Sequence, residues 1–140
     1  MIGIIDYGVG NLFSIQRSLD YIGVKSLITK DTSQLSACQQ IILPGVGAFA
    51  DAKKQLDEVA LSTVVCELAQ QGMPLLGICL GMQLLFEESH EFGVHPGLGL
   101  IPGKVVSLKD ALNEQNIFFR TIRIKTMNII DLIFGFHVSR

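Results

Sequence analysis

Apolar residues along this chain recur at two different spacings. Short apolar runs bounded by glycine or proline predict β-strands, and apolar residues three or four positions apart predict helices. The predicted strands cover residues 1–6, 25–29, 40–43 and 74–78. The predicted helices carry apolar stripes at Leu12, Ile15, Leu19 and Ile22, at Leu61, Val64, Val65 and Leu68, and at Met82, Leu85 and Phe86.

The order of these elements predicts an α/β fold. Strands that alternate with helices through short glycine-rich turns favour an open, mostly parallel sheet with helices on both faces. In such sheets, ligands bind beyond the carboxyl ends of the strands. Glycines gather at that edge in three segments, at residues 8–10, 45–47 and 77–81. We therefore expect a functional site where these three segments meet.

Composition restricts the class of protein. The 140 residues, 49% of them hydrophobic and 17% charged, fit one domain over residues 1–140. The net charge of -2, without long runs of one sign, argues against nucleic acid or a membrane surface as a partner. No apolar stretch approaches the roughly 20 residues that span a bilayer, and the N-terminus lacks the basic region of a signal peptide. We expect a cytoplasmic protein.

The three cysteines are too far apart to form a Cys-x-x-Cys pair, so neither a disulfide framework nor a metal site is expected. Cys66 lies opposite the apolar stripe of its helix and Cys38 lies in a polar stretch, so both are interpreted as incidental. Cys79 follows a predicted strand, opens a predicted helix and has a glycine two positions away on each side. This layout is typical of a nucleophile elbow, a sharp turn that exposes the reactive side chain.

Two interpretations of Cys79 compete. Most free cysteines are small buried hydrophobic residues. A cysteine at a helix N-terminus, however, lies at the positive end of the helix dipole, which favours the thiolate that attacks acyl carbons. The predicted strand before Cys79 and the predicted helix after it favour the nucleophile.

The segment LGICLGMQ at residues 76–83 resembles the active-site signature of class I, triad-type glutamine amidotransferases. Three further motifs, DYGVGNL at 6–12, LPGVGAF at 43–49 and GLGLIPG at 97–103, are similar to those of one branch of that family. The branch consists of the glutaminase subunits of imidazole glycerol phosphate synthases. The likeness covers about residues 1–110.

The resemblance implies a role for each matching residue. Cys79 would attack the side-chain amide of glutamine and release ammonia. The backbone of Leu80, with that of Val46 and Gly47, would form the oxyanion hole. The substrate glutamine would be bound by Gln83, Gly45 and Gly81, and Asn11 would lie near a partner subunit. That partner would be a cyclase (β/α)8 barrel in a heterodimer, and the resemblance implies no metal or organic cofactor in this subunit.

A triad also needs a general base and a group that orients it. The family has a histidine and, two positions later, a glutamate near the end of a longer chain, and neither is found here. His137 is followed two positions later by Ser139, and His90 and His95 are interpreted as loop histidines. The resemblance ends near residue 112, so residues 112–140 are expected to be a divergent tail, the frameshifted or truncated end of a once longer gene.

Two alternatives to an active glutaminase follow. The chain could be a catalytically inactive relative that only binds a partner. It could also be a nucleotide-binding domain, because Gly8 and Gly10 precede Asp31 by about 20 residues, but Phe13 occupies the third glycine position of that fingerprint. The adjacent Glu87 and Glu88 are interpreted as part of a solvated helix face and not as a carboxylate dyad, because neighbouring residues on a helix do not share a face.

Overall fold

The computed structural model describes residues 1–107 and the short strand Val138–Ser139. Within them, strands and helices alternate as far as the fifth strand. The strands are β1 (Ile2–Ile5), β2 (Ser26–Thr29), β3 (Gln40–Leu43), β4 (Leu75–Gly77), β5 (Phe86–Ser89), β6 (His95–Pro96), β7 (Ile101–Val105) and β8 (Val138–Ser139). The helices are α1 (Leu12–Tyr21), α2 (Thr32–Ser36), α3 (Phe49–Glu58), α4 (Leu61–Gln70) and α5 (Leu80–Gln83).

The first four strands form a parallel sheet in the order β2-β1-β3-β4. The chain moves one way along this sheet from β1 to β2 and the other way from β3 to β4. Because such crossovers are right-handed, α1 covers one face, and α3 and α4 cover the other. The open α/β sheet with helices on both faces is therefore confirmed, and all four predicted strands are present.

The main core lies between this sheet and the helices on the α3 and α4 side. Alternate strand residues such as Ile5 and Leu43 point into it and meet fully buried helix residues, among them Leu56 and Val65. Cys38 also belongs to this core, with 6% of its surface exposed, although its sequence neighbours are polar. Strands β1 and β3, in the middle of the sheet, are the most buried, because helices and neighbouring strands shield their side chains from water.

A helix does follow Cys79 and contains Met82, but the prediction that it continues through Leu85 and Phe86 is wrong. Helix α5 ends at Gln83, and Phe86 begins β5, so Glu87 and Glu88 lie on a strand and not on a helix face. The backbone carbonyl of Leu85 accepts hydrogen bonds from two N–H groups, those of Leu100 and Ile101, at 2.9 Å each. These long-range bonds replace the bonds that a continued helix would have made.

A second sheet follows, with the strand order β6-β5-β7-β8. Strand β5 pairs antiparallel with β6 and parallel with β7, and β7 pairs antiparallel with β8. This mixed sheet was not predicted from the sequence, because its strands are short and lack regular alternation. It places residues 89–91 close to the start of α3, since the Glu91 carboxylate reaches the Phe49 N–H.

Three glycines allow β3, β4 and α5 to meet without side chains between them. A Cβ on Gly81 would overlap the carbonyl oxygen of Leu43, and a Cβ on Gly45 would lie 2.5 Å from the Gly81 nitrogen. A Cβ on Gly77 would lie 2.5 Å from the Met82 Cα. Real Cβ atoms do not approach backbone so closely, so any larger residue here would push α5 away from the sheet.

We predict that Gly81→Ala destabilises the fold by about 3 kcal/mol or more, because the added methyl group meets backbone that cannot move aside. The matched control is Gly23→Ala. Gly23 has a positive φ, 75°, and nothing lies near its Cβ position, so only backbone strain of about 1 kcal/mol is expected. Urea denaturation of both variants tests this, and equal losses of stability would contradict it.

Candidate functional site

Three loops meet at the carboxyl edge of the parallel sheet, as the glycine positions predict. They follow β1, β3 and β4. The Tyr7 hydroxyl donates a 2.7 Å hydrogen bond to the Pro44 carbonyl, which ties the first loop to the second. Gly10 has φ 116°, and a Cβ on it would lie 2.9 Å from the Pro44 ring. The two loops thus approach as closely as their backbones allow.

Cys79 lies at the turn between β4 and α5 and has the strained backbone of a nucleophile elbow. Its φ is 55° and its ψ is -118°, a conformation that residues with a Cβ rarely adopt. The turn is held because the N–H groups of Met82 and Gln83 both donate to the Cys79 carbonyl, at 3.0 and 3.2 Å. The thiol is exposed, so the alternative interpretation of Cys79 as a buried hydrophobic residue is wrong.

A cavity of about 220 Å³ lies directly beside Cys79. It is bounded by one side of α1, by the loop after β3 and by the end of β4. The lining residues are Asn11, Ser14, Ile15, Ser18, Pro44, Gly45, Val46, Ile78 and Cys79. A small polar molecule placed here would be in reach of the thiol.

The residues proposed for an oxyanion hole come from two segments that meet near Cys79. Leu80 is the first residue of α5, where a backbone N–H has no acceptor within the helix and stays available. Across from it, Gly45 packs against the Leu80–Gly81 backbone. Val46 is 54% exposed, and Gly47 has φ 89°, which glycine adopts without strain. The turn after β3 therefore adjoins the N-terminus of α5.

The remaining predicted site residues occupy two different positions. Gln83 is the last residue of α5 and is half-buried, and it is not among the residues that line the cavity. Asn11 is exposed, lines the cavity and caps α1 by accepting a 3.3 Å hydrogen bond from the Ser14 N–H. Its local role as a helix cap was not recognised from the sequence, although asparagine before a helical stripe is a known capping signal.

No histidine is among the residues that line the cavity beside Cys79. His90 Nε2 lies 2.8 Å from Glu88 Oε1 at the end of β5, and His95 lies in strand β6 instead of the predicted loop. His137 falls outside the described residues. Within residues 1–107, no group of three potential ligands is arranged to hold a metal ion.

The other two thiols differ from Cys79 in their environment. Cys38 is buried and its thiol donates to the Gln34 carbonyl at 3.3 Å. Cys66 is half-buried and its thiol donates to the Leu98 carbonyl at 3.5 Å. Burial raises the pKa of the Cys66 thiol, which lowers its thiolate fraction near neutral pH. Cys79 is thus the one thiol of the three that is exposed.

Two residues that contact the loop after β3 were not found by sequence reasoning. Tyr7 was seen only as part of a motif, but its buried hydroxyl holds Pro44. The Glu91 carboxylate accepts a 2.8 Å hydrogen bond from the Phe49 N–H, across 42 positions of sequence. No local pattern reveals such a contact, because it depends on where β5 of the second sheet brings residue 91.

Comparison with known proteins identifies relatives over most of the chain. The model of the family "Glutamine amidotransferase class-I" matches residues 3–129. The imidazole glycerol phosphate synthase subunit HisH of Bacillus licheniformis is 54% identical over 116 residues, which are 83% of this chain and 55% of that protein. The same subunit of Wolinella succinogenes is 51% identical over 106 residues, 76% of this chain and 52% of that protein.

The chain thus spans about half the length of the curated relatives it matches. Among solved structures, a crystal structure of a glutamine amidotransferase superposes with a TM-score of 0.65 at 22% identity, covering 75% of this chain and 55% of that one, and it supports the fold. No helix in the described part of the chain is both long and apolar enough to cross a membrane. The family match over residues 3–129 shows that the chain belongs to the class-I glutamine amidotransferases.

Proposed function

We propose that this chain is the glutaminase part of an imidazole glycerol phosphate synthase, with Cys79 as its nucleophile. The observation that carries the proposal is the exposed Cys79 directly before Leu80, at a cavity that Gly45 and Val46 of the turn after β3 also line. An acyl-transfer site needs this combination of a nucleophile and nearby backbone donors. The class-I family match supplies glutamine as the substrate.

The proposed reaction has two steps. The Cys79 thiolate adds to the side-chain carbonyl carbon of glutamine, and the negative oxygen that forms accepts hydrogen bonds from Leu80 and from the turn at Val46 and Gly47. The C–N bond then breaks, ammonia leaves with an added proton, and a thioester remains. Water attacks the thioester, which releases glutamate and restores the thiol. These steps require no metal or organic cofactor.

The substrate would lie in the cavity beside Cys79, with Gly45 and Gly81 keeping the backbone close to it. Gln83 does not line the cavity, so it would bind only polar groups of glutamine that extend beyond the cavity toward the end of α5. In the family a histidine transfers the protons, and no described residue that lines the cavity has this capacity. Proton transfer is therefore the step for which the residues that line the cavity supply no group.

The subunit names of the relatives support a partner for this chain. They are subunits of imidazole glycerol phosphate synthase. We infer that ammonia passes to a cyclase (β/α)8-barrel subunit, which forms imidazole glycerol phosphate and AICAR in histidine biosynthesis, a cytoplasmic pathway. Ammonia must not escape, so the partner would cover the edge where the cavity opens. Asn11, Phe13 and Val46 are exposed at that edge.

A second candidate function is a partner-binding module without turnover. It is favoured by the lack of a histidine among the residues that line the cavity. Such a module would keep the fold, the cavity and the partner surface, and it would bind glutamine or the barrel without releasing ammonia.

We predict that the chain mixed with the barrel subunit releases ammonia from glutamine, and that Cys79→Ser lowers the rate by at least about a thousandfold, because the hydroxyl is a much weaker nucleophile. Cys66→Ser is the matched control and should leave the rate unchanged. Ammonia release is measured with and without the barrel. An unaltered rate in Cys79→Ser would contradict the nucleophile, and binding of glutamine without ammonia release would favour the second candidate.

Partner binding gives a separate prediction about α1. Phe13 is 74% exposed and lies at the N-terminal end of α1, near the cavity. Tyr21 is 91% exposed and lies about 12 Å further along the helix. Phe13→Ala should weaken binding of the barrel at least about tenfold, since a buried aromatic side chain commonly dominates an interface. Tyr21→Ala should change it less than about twofold. Calorimetry measures both, and equal effects would contradict this docking edge.

A further inference from the structure

The loop that joins β3 to α3 is held at both ends by side chains from distant parts of the chain. At its start, the Pro44 carbonyl accepts a hydrogen bond from the Tyr7 hydroxyl at 2.7 Å. At its end, the Phe49 N–H donates to Glu91 Oε2 at 2.8 Å. Tyr7 follows β1 and Glu91 follows β5, so each bond ties the loop to a different structural element.

The bond at the start of the loop is protected from water. Tyr7 is only 3% exposed, so its hydroxyl has no competing solvent partner. Burial also raises the pKa of Tyr7 well above its usual range, which keeps the hydroxyl protonated and able to donate. Loss of this hydroxyl would leave the Pro44 carbonyl without that donor at a site that is closed to water.

The bond at the end of the loop satisfies a helix terminus. Helix α3 has ten residues, and its N-cap residue, Ala48, makes no side-chain capping bond. The first N–H groups of a helix need acceptors from outside, and a carboxylate there is also favoured by the helix dipole. Glu91 fulfils this role, and its own N–H donates to the hydroxyl of the fully buried Ser89 at 3.2 Å.

The middle of the same loop has much less support. Val46 is 54% exposed, and a Cβ on Gly47 would meet nothing within 4 Å. Glycine at a positive φ is free to change conformation, so the direction of the peptides around Gly47 is not fixed by local packing. Their direction must depend on where the two ends of the loop are held.

From this arrangement we infer that Tyr7 and Glu91 are positioning residues that clamp the loop of residues 44–49 and so aim its backbone N–H at the oxyanion. The effect of the clamp on loop order does not depend on the glutaminase function, whereas its effect on catalysis rests on the function proposed above. Preorganised donors stabilise a developing charge because they do not have to reorient during the reaction. Releasing either end should therefore reduce reactivity toward a glutamine-like carbonyl but leave reactivity toward simple thiol reagents unchanged.

The first test measures loop order by ¹⁵N NMR relaxation in the whole chain. The order parameters of the Val46, Gly47 and Ala48 amides should fall from about 0.85 to below about 0.6 in Tyr7→Phe and in Glu91→Ala. Glu91→Gln keeps an oxygen acceptor and should remain near the wild-type values. The controls, Tyr21→Phe and Glu67→Ala, alter exposed residues on α1 and α4. Unchanged order parameters in Tyr7→Phe and Glu91→Ala would overturn the clamp.

The second test measures how the clamp acts on Cys79. A chloroketone analogue of glutamine alkylates the thiol when the thiolate displaces chloride, and iodoacetamide alkylates it without using the glutamine site. The ratio of the two rates, followed by mass spectrometry of the Cys79 peptide, should fall about tenfold in Tyr7→Phe and Glu91→Ala and less than about twofold in Glu91→Gln. An unchanged ratio in the first two variants would overturn the positioning role.

A direct contact between Glu91 and the substrate ammonium group predicts a different pattern. Glu91→Gln would then weaken protection of Cys79 by glutamine as much as Glu91→Ala does, and that result would overturn the positioning role of Glu91. The proposed glutaminase function fails separately, if wild-type Cys79 shows no preference for the chloroketone and no protection by glutamine. In that case the NMR test still decides whether the clamp exists.

Discussion

The turn at Cys79 depends on how closely three backbone segments approach one another. Gly81 contacts the carbonyl of Leu43, Gly45 contacts the start of α5, and Gly77 contacts Met82. This close approach brings the end of β3, the end of β4 and the N-terminus of α5 into one place. The exposed thiol, the free Leu80 N–H and the turn after β3 are neighbours for this reason, and the cavity beside Cys79 is the space that the segments leave open.

The strain at Cys79 is maintained by the rigid structure around it. A non-glycine residue at φ 55° costs of the order of 1–3 kcal/mol, and it persists only if neighbouring contacts exclude relaxed conformations. Leu80, the first residue of α5, and Leu84, which follows its last residue, are buried and anchor it to the core. The packing of the core thus holds the strained turn that exposes the Cys79 thiol. Cys38 and Cys66 lie in less accessible positions, where a thiol reacts slowly.

Local signals predicted the first sheet and the elbow, because apolar runs and flanking glycines are properties of short segments. Helix α2 was not predicted, since it has five mostly polar residues, although Asp31 accepts from the Gln34 N–H as a cap. The end of α5 was predicted wrongly because the strand conformation of Phe86 depends on hydrogen bonds between residues 84–86 and residues 98–101. The contact of Glu91 with α3 was missed for the same reason, since distant pairing leaves no local pattern. The roles of individual site residues remain predictions.

The exposure of Cys79 in a glutamine site is tested by the alkylation rate of each cysteine with iodoacetamide, measured by peptide mass spectrometry with and without glutamine. If the elbow exposes Cys79 in a glutamine site, this thiol reacts at least about tenfold faster than Cys66 and Cys38, and glutamine slows Cys79 alone. Equal rates for Cys79 and Cys66, or a Cys79 rate that glutamine does not change, would contradict an exposed Cys79 nucleophile in a glutamine site.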